Sequence, residues 1–204
     1  LAAHKLDLAH VMKDTADFVE AIRNLRPTAI IGVSATGGSF TEEVVKTMAE
    51  INEQPIIFAL SNPTSKSECT AEQAYKWSNG RCLFACGSPF APVALNGKTY
   101  IPRQGNNSYV FPGIGFGCIC ARAKTVPNQV FLTAAKTLAD LVSESDLANG
   151  SLYPPLSEVR ELSAEIASAV ATYCFDNGIA GTDRPADVRA AVKAAMWSPE
   201  KNGF

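Results

Sequence analysis

The sequence lacks an excess of charge of either sign, and it lacks any long uninterrupted apolar run. Lysine and arginine together number 18 and aspartate and glutamate 20, so the formal net charge is -2. Proteins that bind nucleic acid or an anionic membrane through electrostatics carry a marked basic patch, and this balance argues against both partners. Glycine, proline, arginine or lysine interrupts each apolar stretch before it reaches the roughly 20 residues of a membrane-spanning helix. We therefore expect no nucleic-acid partner and no membrane partner.

Histidine is scarce, and the six cysteines do not form a metal-binding pattern. The only histidines are His4 and His10, no CxxC occurs, and Cys118-Ile119-Cys120 lies in an apolar run. Zinc needs closely spaced cysteine and histidine ligands, so we do not expect a zinc site. Buried free thiols in a reducing compartment are the favoured interpretation.

The first residues also lack the apolar core of a secretory signal, which favours the cytoplasm or the matrix of a mitochondrion or plastid over secretion.

In the first half of the chain, strand-like and helix-like segments alternate. Short apolar segments that are typical of buried parallel strands occur at residues 28–34, 55–61 and 82–86. Between the first two, a helix over residues 42–52 is predicted, with Thr41 as its cap. Thr70-Ala71-Glu72-Gln73 has the pattern of a capping box and begins a second helix, which ends near Gly80. This order predicts an α/β fold with a parallel sheet and right-handed crossovers.

The second half is predicted to be helical after one hairpin. Asn96-Gly97 separates two short segments and is typical of a hairpin turn. The predicted helices span about 107–124, 128–143, 157–177 and 185–197. The fold class is therefore α/β, with a parallel sheet followed by a helical C-terminal region.

The residues that follow the predicted strands form the candidate site, because ligands of open parallel sheets bind beyond the carboxyl ends of the strands. The segments at that position are residues 34–39, 61–64, 87–90 and 104–107. All four are uncharged, and most are small, polar or contain glycine. They can bring backbone N–H groups and carboxamides close to a ligand, but they supply no strong general acid or base. The sequence predicts a site that orients a ligand and performs no proton transfer itself.

Each of these loops also has a purely structural interpretation. Gly37-Gly38 is compatible with a simple turn, Asn62-Pro63 with a turn and cap, and Asn106 with the N-cap of the following helix. Gly113-Ile114-Gly115-Phe116-Gly117 is similar to a dinucleotide fingerprint, but no strand precedes it, so we interpret it as a close helix contact. Ser88 has no nearby histidine or lysine base, and we do not interpret it as a nucleophile.

Several ungapped blocks of the sequence resemble malic enzymes. The blocks are residues 55–75 (PIIFALSNPTSKSECTAEQAY), 80–90 (GRCLFACGSPF), 104–113 (QGNNSYVFPG) and 150–156 (GSLYPPL). Similarity extends from about Ala9-His10 to about Ser198-Pro199, and the order of the blocks favours this family over another dehydrogenase, such as one of the amino-acid type, with the same fold. The resemblance implies a partial doubly wound, Rossmann-like sheet. It also implies that residues 1–125 are the C-terminal part of a dinucleotide-binding domain and that 126–204 are a helical region packed on that domain.

The resemblance implies oxidation of malate by NAD or NADP, followed by loss of carbon dioxide to give pyruvate with the help of Mg²⁺ or Mn²⁺. By position, Asn62 and Asn106 would bind the carboxylate or hydroxyl of malate. The residues that would line the nicotinamide and its ribose are Val33, Ser34, Gly87 and Asn107. No catalytic residue and no metal ligand is expected in this chain. The family's lysine base, tyrosine acid, malate-binding arginine, carboxylate metal ligands, GxGxxG motif and NAD-versus-NADP segment would lie upstream of residue 1.

We therefore expect the chain to be part of a longer enzyme, inactive on its own, whose partners are its N-terminal portion and further copies in a dimer or tetramer. The alternative is a non-catalytic truncated homologue that serves as a nucleotide-binding or oligomerisation module. The presence of the upstream half in the natural gene would decide between them. A doubly wound sheet without its first strands has an open apolar edge, so the isolated chain is expected to aggregate or self-associate.

Three residues stand out within the matched part. Arg103 occupies a position where the family usually has glycine. A long cation there could pack on a phosphate or on malate, and the favoured expectation is that it points to solvent or forms a surface ion pair. Cys86 replaces the usual serine and is interpreted as a tolerated small residue. His10 belongs to an Ala-His pair that would lie near the adenosine side, and a solvated helix residue is the favoured interpretation.

Overall fold

The computed structural model describes residues 3–6, 9, 11 and 14–198. The strands are β1 (Ala29–Gly32), β2 (Ile56–Ala59), β3 (Leu83–Cys86), β4 (Val93–Leu95), β5 (Lys98–Tyr100) and β6 (Arg103–Gln104). The helices are α1 (Ala3–Leu6), α2 (Phe18–Leu25), α3 (Glu42–Ile51), α4 (Ala71–Trp77), α5 (Phe111–Cys120), α6 (Asn128–Asp140), α7 (Glu144–Ala148), α8 (Val159–Asp176) and α9 (Val188–Ala195). Single turns of 3₁₀ helix occur at Thr64–Lys66, Asn107–Tyr109 and Leu156–Glu158. His10 lies outside the described residues.

Four parallel strands form the central sheet in the order β1-β2-β3-β6. Ile30 pairs with Ile57, and Ile57 pairs with Phe84. β6 is only two residues long and adds Arg103 beside Ala85. The predicted α/β fold with a Rossmann-like parallel sheet is confirmed. The sequence did not predict β6, because two residues are too few to show a period.

The helices that connect the strands begin where their capping residues predict. The Thr41 side chain accepts a hydrogen bond of 3.3 Å from the backbone of Val44 at the start of α3. At the start of α4, Thr70 and Gln73 form both hydrogen bonds of a capping box. These bonds satisfy N–H groups that a helix cannot pair internally, so both N-termini are fixed locally.

Side chains alternate across the sheet, so its two faces have different environments. Ile30, Ile57 and Phe84 are buried with α2, α3 and α4 in one hydrophobic core. Ile31 points to the opposite face and is 60% exposed. β1 is an edge strand among the described residues. An apolar side chain exposed beside a strand edge is the open surface that the sequence predicted.

A second core lies between the C-terminal helices and has α8 at its centre. α5 packs closely on α8 because two glycines face it: a Cβ at Gly113 would lie 2.7 Å from the Ile166 Cβ, and one at Gly117 would lie 2.6 Å from the Ala167 carbonyl oxygen. The interpretation of this glycine-rich segment as a close helix contact is confirmed. The predicted helices differ at their ends, since Asn107–Tyr109 is a separate 3₁₀ turn and α7 follows α6 as a distinct helix.

The predicted hairpin joins β4 and β5, with Asn96 at φ 52° and Gly97 at φ 75° in the left-handed region that its turn needs.

All six cysteines are free; Cys118 and Cys120 are half-buried and the other four are buried. No helix among the described residues has the length and apolar character needed to cross a membrane.

Candidate functional site

The candidate site is the edge of the sheet where its four parallel strands end. The loops that leave this edge, here called the carboxyl-end loops, are residues 33–39, 60–64, 87–90 and 105–107. Parallel strands lie about 4.8 Å apart, so the edge from β1 to β6 spans about 14 Å.

Hydrogen bonds connect each carboxyl-end loop to the next. The Ala35 N–H donates to Ser61 Oγ over 2.9 Å, which joins the first loop to the second. Ser88 Oγ donates to Asn62 Oδ1 over 2.8 Å, which joins the second to the third. Gln104 Nε2, at the end of β6, donates to the Gly87 carbonyl oxygen over 3.0 Å, which joins the third loop to the strand that leads directly into the fourth. The four loops therefore form one connected rim.

Asn62 lies on this rim with its side chain exposed and its carboxamide oriented by Ser88. Because the oxygen accepts from Ser88, the nitrogen points away with two donors. The nitrogen makes no hydrogen bond within the part of the chain that the structure describes. Asn62 precedes Pro63 in a cis peptide bond. Ser88 is 4% exposed, and its hydroxyl acts as a donor to Asn62, in keeping with the view that it is not a nucleophile.

Asn106 repeats this arrangement on the fourth loop. Its Oδ1 accepts 2.9 Å from the Ser108 N–H and caps the 3₁₀ turn Asn107–Tyr109. The structural interpretation of Asn106 as an N-cap is therefore correct, and it leaves the side-chain nitrogen available as a donor. Asn106 and Asn107 are both exposed at the mouth of a cleft of about 380 Å³. Apolar groups of Phe58, Leu60 and Tyr153 form its walls.

The other predicted site residues lie on the rim with different surroundings. Val33 is 73% exposed, and Ser34 is also exposed, just before the Ala35–Ser61 link. A Cβ at Gly87 would collide with the Leu60 carbonyl group, so only glycine lets the second and third loops approach. The structure brings Asn62, Gly87 and Ser88 together on adjacent loops. Asn106 and Asn107 follow β6, and Asn62 follows β2, so β3 lies between the two sets of residues. Asn106 and Asn107 line the cleft described above.

Burial keeps one cysteine and two tyrosine side chains near the rim in their neutral forms. Burial raises the pKa of the Cys86 thiol to about 12, and its Sγ contacts the Arg103 carbonyl oxygen at 3.3 Å. Burial also raises the pKa of Tyr109 and of Tyr153, whose rings stack at 5.4 Å. Groups with raised pKa values of this kind are poor bases and poor nucleophiles at neutral pH. None of these three side chains therefore supplies a strong base or nucleophile beside the rim at neutral pH.

Arg103 forms an ion pair with Asp146 of α7 at 3.4 Å. The two side chains are only 25% and 18% exposed, so the pair is half-buried and Arg103 does not project into solvent. It ties β6 to the helical region behind the rim. This outcome matches the ion-pair alternative, in a less exposed setting than the sequence suggested.

Sequence reasoning missed one residue at the rim, Glu68. Its side chain is 0% exposed, and both of its carboxylate oxygens face Ser61. It packs where Gly32 has no side chain, since a Cβ there would lie 2.5 Å from Glu68 Cγ. In the sequence Glu68 stands two residues before a helix cap, where a carboxylate is usually solvated, so no local signal indicated its burial.

Comparisons with known proteins agree on one family. A family model described as the NAD-binding domain of malic enzyme matches residues 2–175. The chain is 50% identical over 181 residues to an NADP-dependent malic enzyme of Dictyostelium discoideum, covering 89% of the chain and 33% of that protein. It is 50% identical over 196 residues to a mitochondrial NAD-dependent malic enzyme of Ascaris suum, covering 96% of the chain and 30% of that protein. The chain thus spans about a third of the length of the curated relatives it matches.

A solved structure of malic enzyme from Pyrococcus horikoshii also matches, with a TM-score of 0.66 and 26% identity over 87% of this chain and 36% of that chain.

Proposed function

This chain belongs to the malic enzyme family, and from that premise we propose that it is part of a longer enzyme that oxidises malate and decarboxylates the product to pyruvate and carbon dioxide. The observation that carries the proposal is the rim of four uncharged loops at the carboxyl ends of the sheet, with two asparagine carboxamides oriented as donors. The hydride of malate would be accepted by the oxidised nicotinamide of NAD or NADP.

We propose that Asn62 and Asn106 bind malate through their side-chain nitrogens. Malate carries carboxylates and a hydroxyl, and a carboxamide N–H₂ donates to any of these oxygens. A lysine or arginine side chain would compete with a metal ion for the malate carboxylate, because both are cations. An uncharged N–H₂ donor binds the same carboxylate without adding a competing charge. Because Ser88 and the Ser108 N–H occupy the oxygens of the two asparagines, the donors are oriented before the substrate arrives.

We propose that Val33, Ser34, Gly87 and Asn107 line the nicotinamide and its ribose. The fit is chemical: Val33 offers an apolar surface, Gly87 permits a close backbone approach, and Asn107 supplies amide donors and acceptors at the apolar cleft. Such a site positions a planar ring against a substrate, which is the contribution that a protein makes to hydride transfer. The relatives include both NAD- and NADP-dependent enzymes.

The divalent metal of the proposed reaction, Mg²⁺ or Mn²⁺, is assigned to residues outside this chain. Within the described residues, no three histidine, cysteine, aspartate or glutamate side chains form a group that could hold a metal ion. The carboxyl-end loops are likewise uncharged, whereas these ions prefer carboxylate oxygens.

The remaining parts of the proposal concern assembly. We propose that the preceding portion of the enzyme covers the β1 edge and Ile31, and that the complete enzyme is a dimer or tetramer in the cytoplasm or an organelle matrix. The exposed Ile31 supports the first point, because an apolar side chain beside an open strand edge is normally covered. Residues 1–125 are assigned to the dinucleotide-binding domain and 126–204 to the helical region on it.

The experiment combines the intact mass of the purified natural protein with an assay of malate-dependent NAD(P) reduction in the presence of Mn²⁺. A mass well above the 21.7 kDa of this chain, together with activity, is the expected result. A mass equal to that of this chain, without activity, would support the alternative of a truncated binding or oligomerisation module.

A further inference from the structure

We infer that Glu68 is a positioning residue that holds the first and second carboxyl-end loops in register through Ser61. The inference rests on the proposed function, because those loops carry Ser34 and Asn62. Glu68 itself is 0% exposed, so it acts on the site from beneath and touches no ligand.

The position calls for an ionised carboxylate rather than for any polar side chain. Ser61 presents two donors to Glu68: its N–H points to Oε2 at 3.3 Å, and its hydroxyl donates to Oε1 in a short contact. A carboxylate is the one side-chain group with two oxygens that only accept, so it satisfies both donors. A glutamine would place an N–H₂ group against one of them. The requirement is therefore for charge as well as shape.

Stability alone gives no reason to bury this charge. Glu68 takes part in none of the ion pairs found among the described residues. An anion without a cationic partner is costly to remove from water, and an apolar side chain of similar volume is usually as stable or more so. Both hydrogen bonds to the Glu68 carboxylate come from Ser61, which belongs to the rim. This geometry is the one expected of a buried group that fixes the position of Ser61.

The orientation passes from Ser61 to the first loop. Because the Ser61 hydroxyl donates to Glu68, its oxygen is left to accept from the Ala35 N–H at 2.9 Å. A hydroxyl that donates to an anion becomes a better acceptor, so the charge of Glu68 strengthens the bond to Ala35. Ala35 has φ 55°, in the left-handed region that a residue with a Cβ seldom adopts, and this bond helps to hold it there.

The backbone of Ser67 and Glu68 also binds the first carboxyl-end loop, at the end of the loop opposite to Ala35. The Phe40 N–H donates to the Glu68 carbonyl oxygen and the Gly38 N–H to the Ser67 carbonyl oxygen, both at 3.0 Å. The first loop is thus attached at both ends to the segment that contains Glu68. When the carboxylate is lost, the Ala35 end is expected to move while the Gly38 end stays in place.

The test uses the full-length protein with the variants Glu68→Gln, Ser61→Ala and the double variant, and with Ser168→Ala as a matched control. Ser168 is a buried serine of α8, away from the rim, whose hydroxyl donates to the Ala164 carbonyl oxygen at 2.7 Å. Two quantities are measured: the kinetic constants for malate, and the hydrogen exchange of the peptide that contains Ala35, by mass spectrometry.

Glu68→Gln and Ser61→Ala are each expected to lower kcat on the order of ten-fold, with a smaller change in KM, because misalignment of bound groups affects the rate more than the binding. Each is expected to speed exchange at Ala35. The double variant should be no worse than the more impaired single variant, since both break one connection. Ser168→Ala should match the unsubstituted protein.

Losses that multiply in the double variant, or exchange at Ala35 that stays unchanged, would overturn the inference. So would a Glu68→Gln protein with unaltered kcat. If Glu68→Gln does not fold, Glu68→Asp, which keeps the carboxylate but shortens its reach to Ser61, takes its place, and unchanged kcat with unchanged Ala35 exchange in that variant would overturn the inference. If the unsubstituted protein does not oxidise malate, the proposed function fails and the catalytic role of Glu68 fails with it. The Ala35 exchange then still reports separately whether Glu68 holds the two loops together.

Discussion

The hydroxyl of Ser88 donates a 2.8 Å hydrogen bond to the carboxamide oxygen of Asn62, and this contact decides which end of the carboxamide faces a ligand. Asn106 shows the same arrangement, because its oxygen accepts 2.9 Å from the Ser108 N–H. In both asparagines the side-chain nitrogen, with its two N–H donors, is therefore the group left without a partner among the described residues. A pair of uncharged donors at one edge of a sheet matches a dianion such as malate better than it matches a cationic or apolar ligand.

Removing the Ser88 hydroxyl should weaken malate use without unfolding the protein. In Ser88→Ala the Asn62 carboxamide can rotate, so part of the time its oxygen faces the substrate. A neutral hydrogen bond contributes about 1 kcal/mol, which corresponds to a loss of about five-fold in kcat/KM for malate. Steady-state kinetics of the full-length protein would check this, with Ser168→Ala as the control for loss of a buried hydroxyl. An unchanged kcat/KM would show that Ser88 does not orient Asn62.

Asn106→Asp separates the capping role of Asn106 from its proposed role in binding. An aspartate oxygen caps the 3₁₀ turn as well as the asparagine oxygen does, so the fold should be retained. The substitution replaces the N–H₂ donor by a carboxylate oxygen, which repels a carboxylate of malate. Malate affinity should therefore fall on the order of ten- to a hundred-fold, in line with the roughly 1.5–3 kcal/mol of a hydrogen bond to a charged group.

Binding of malate to the Asn106→Asp protein can be followed in the presence of cofactor by calorimetry, with the melting temperature as the check on folding. Asn106→Ala is the comparison, because it removes the cap and the donor together. Unaltered malate affinity in Asn106→Asp would remove Asn106 from the proposed substrate site.

The sequence was sufficient to predict three of the four strands of the sheet and the helices between them, because these depend on local signals. Thr41 and Thr70 cap helices that begin where the pattern indicated, and Asn96-Gly97 forms its hairpin. The burial of Glu68 and the choice of Asp146 as the partner of Arg103 could not be predicted. Both depend on chain segments that come together only in the folded protein, and neither residue has a neighbour in sequence that marks it.

The docking of α9 on α8 should weaken as the pH falls. Arg189 Nε donates to both oxygens of Glu165, at 2.8 and 2.9 Å, and the Lys193 Nζ lies 3.2 Å from Oε1. The hydrogen bond from Arg189 is the largest cause that lowers the pKa of Glu165 below its ordinary value of 4.5. A carboxyl whose pKa is lower in the folded state stabilises that state above its unfolded pKa, and this contribution is lost as the pH falls through the folded pKa.

Hydrogen exchange of residues 188–195 between pH 7 and pH 3, corrected for intrinsic exchange rates, would measure this loss. Glu165→Gln should flatten the pH dependence, and added salt should weaken the contribution at neutral pH, since the Arg189 and Glu161 side chains of the cluster are more than half exposed. Glu53→Gln is the matched control, because Glu53 forms none of the ion pairs found among the described residues. A pH dependence that persists in Glu165→Gln would assign it to another group.

Gly117 and Gly115 lie on the same helix and should respond oppositely to the same substitution. A Cβ at Gly117 would meet the Ala167 carbonyl oxygen at 2.6 Å and the Val170 Cβ at 2.8 Å, so Gly117→Ala forces α5 away from α8. Overpacking of this kind costs about 1–3 kcal/mol. A Cβ at Gly115 meets no atom within 4 Å, and Gly115→Ala should stabilise α5 by up to about 1 kcal/mol through helix propensity.

The melting temperature of the full-length protein, with hydrogen exchange of α8 as the local measure, would compare the two variants. Gly117→Ala should lower the melting temperature and speed exchange in α8, while Gly115→Ala should leave α8 unchanged or better protected. Because the two variants add the same methyl group to the same helix, a difference between them arises from the contact with α8. Equal effects would mean that the glycines of α5 serve helix flexibility rather than close packing.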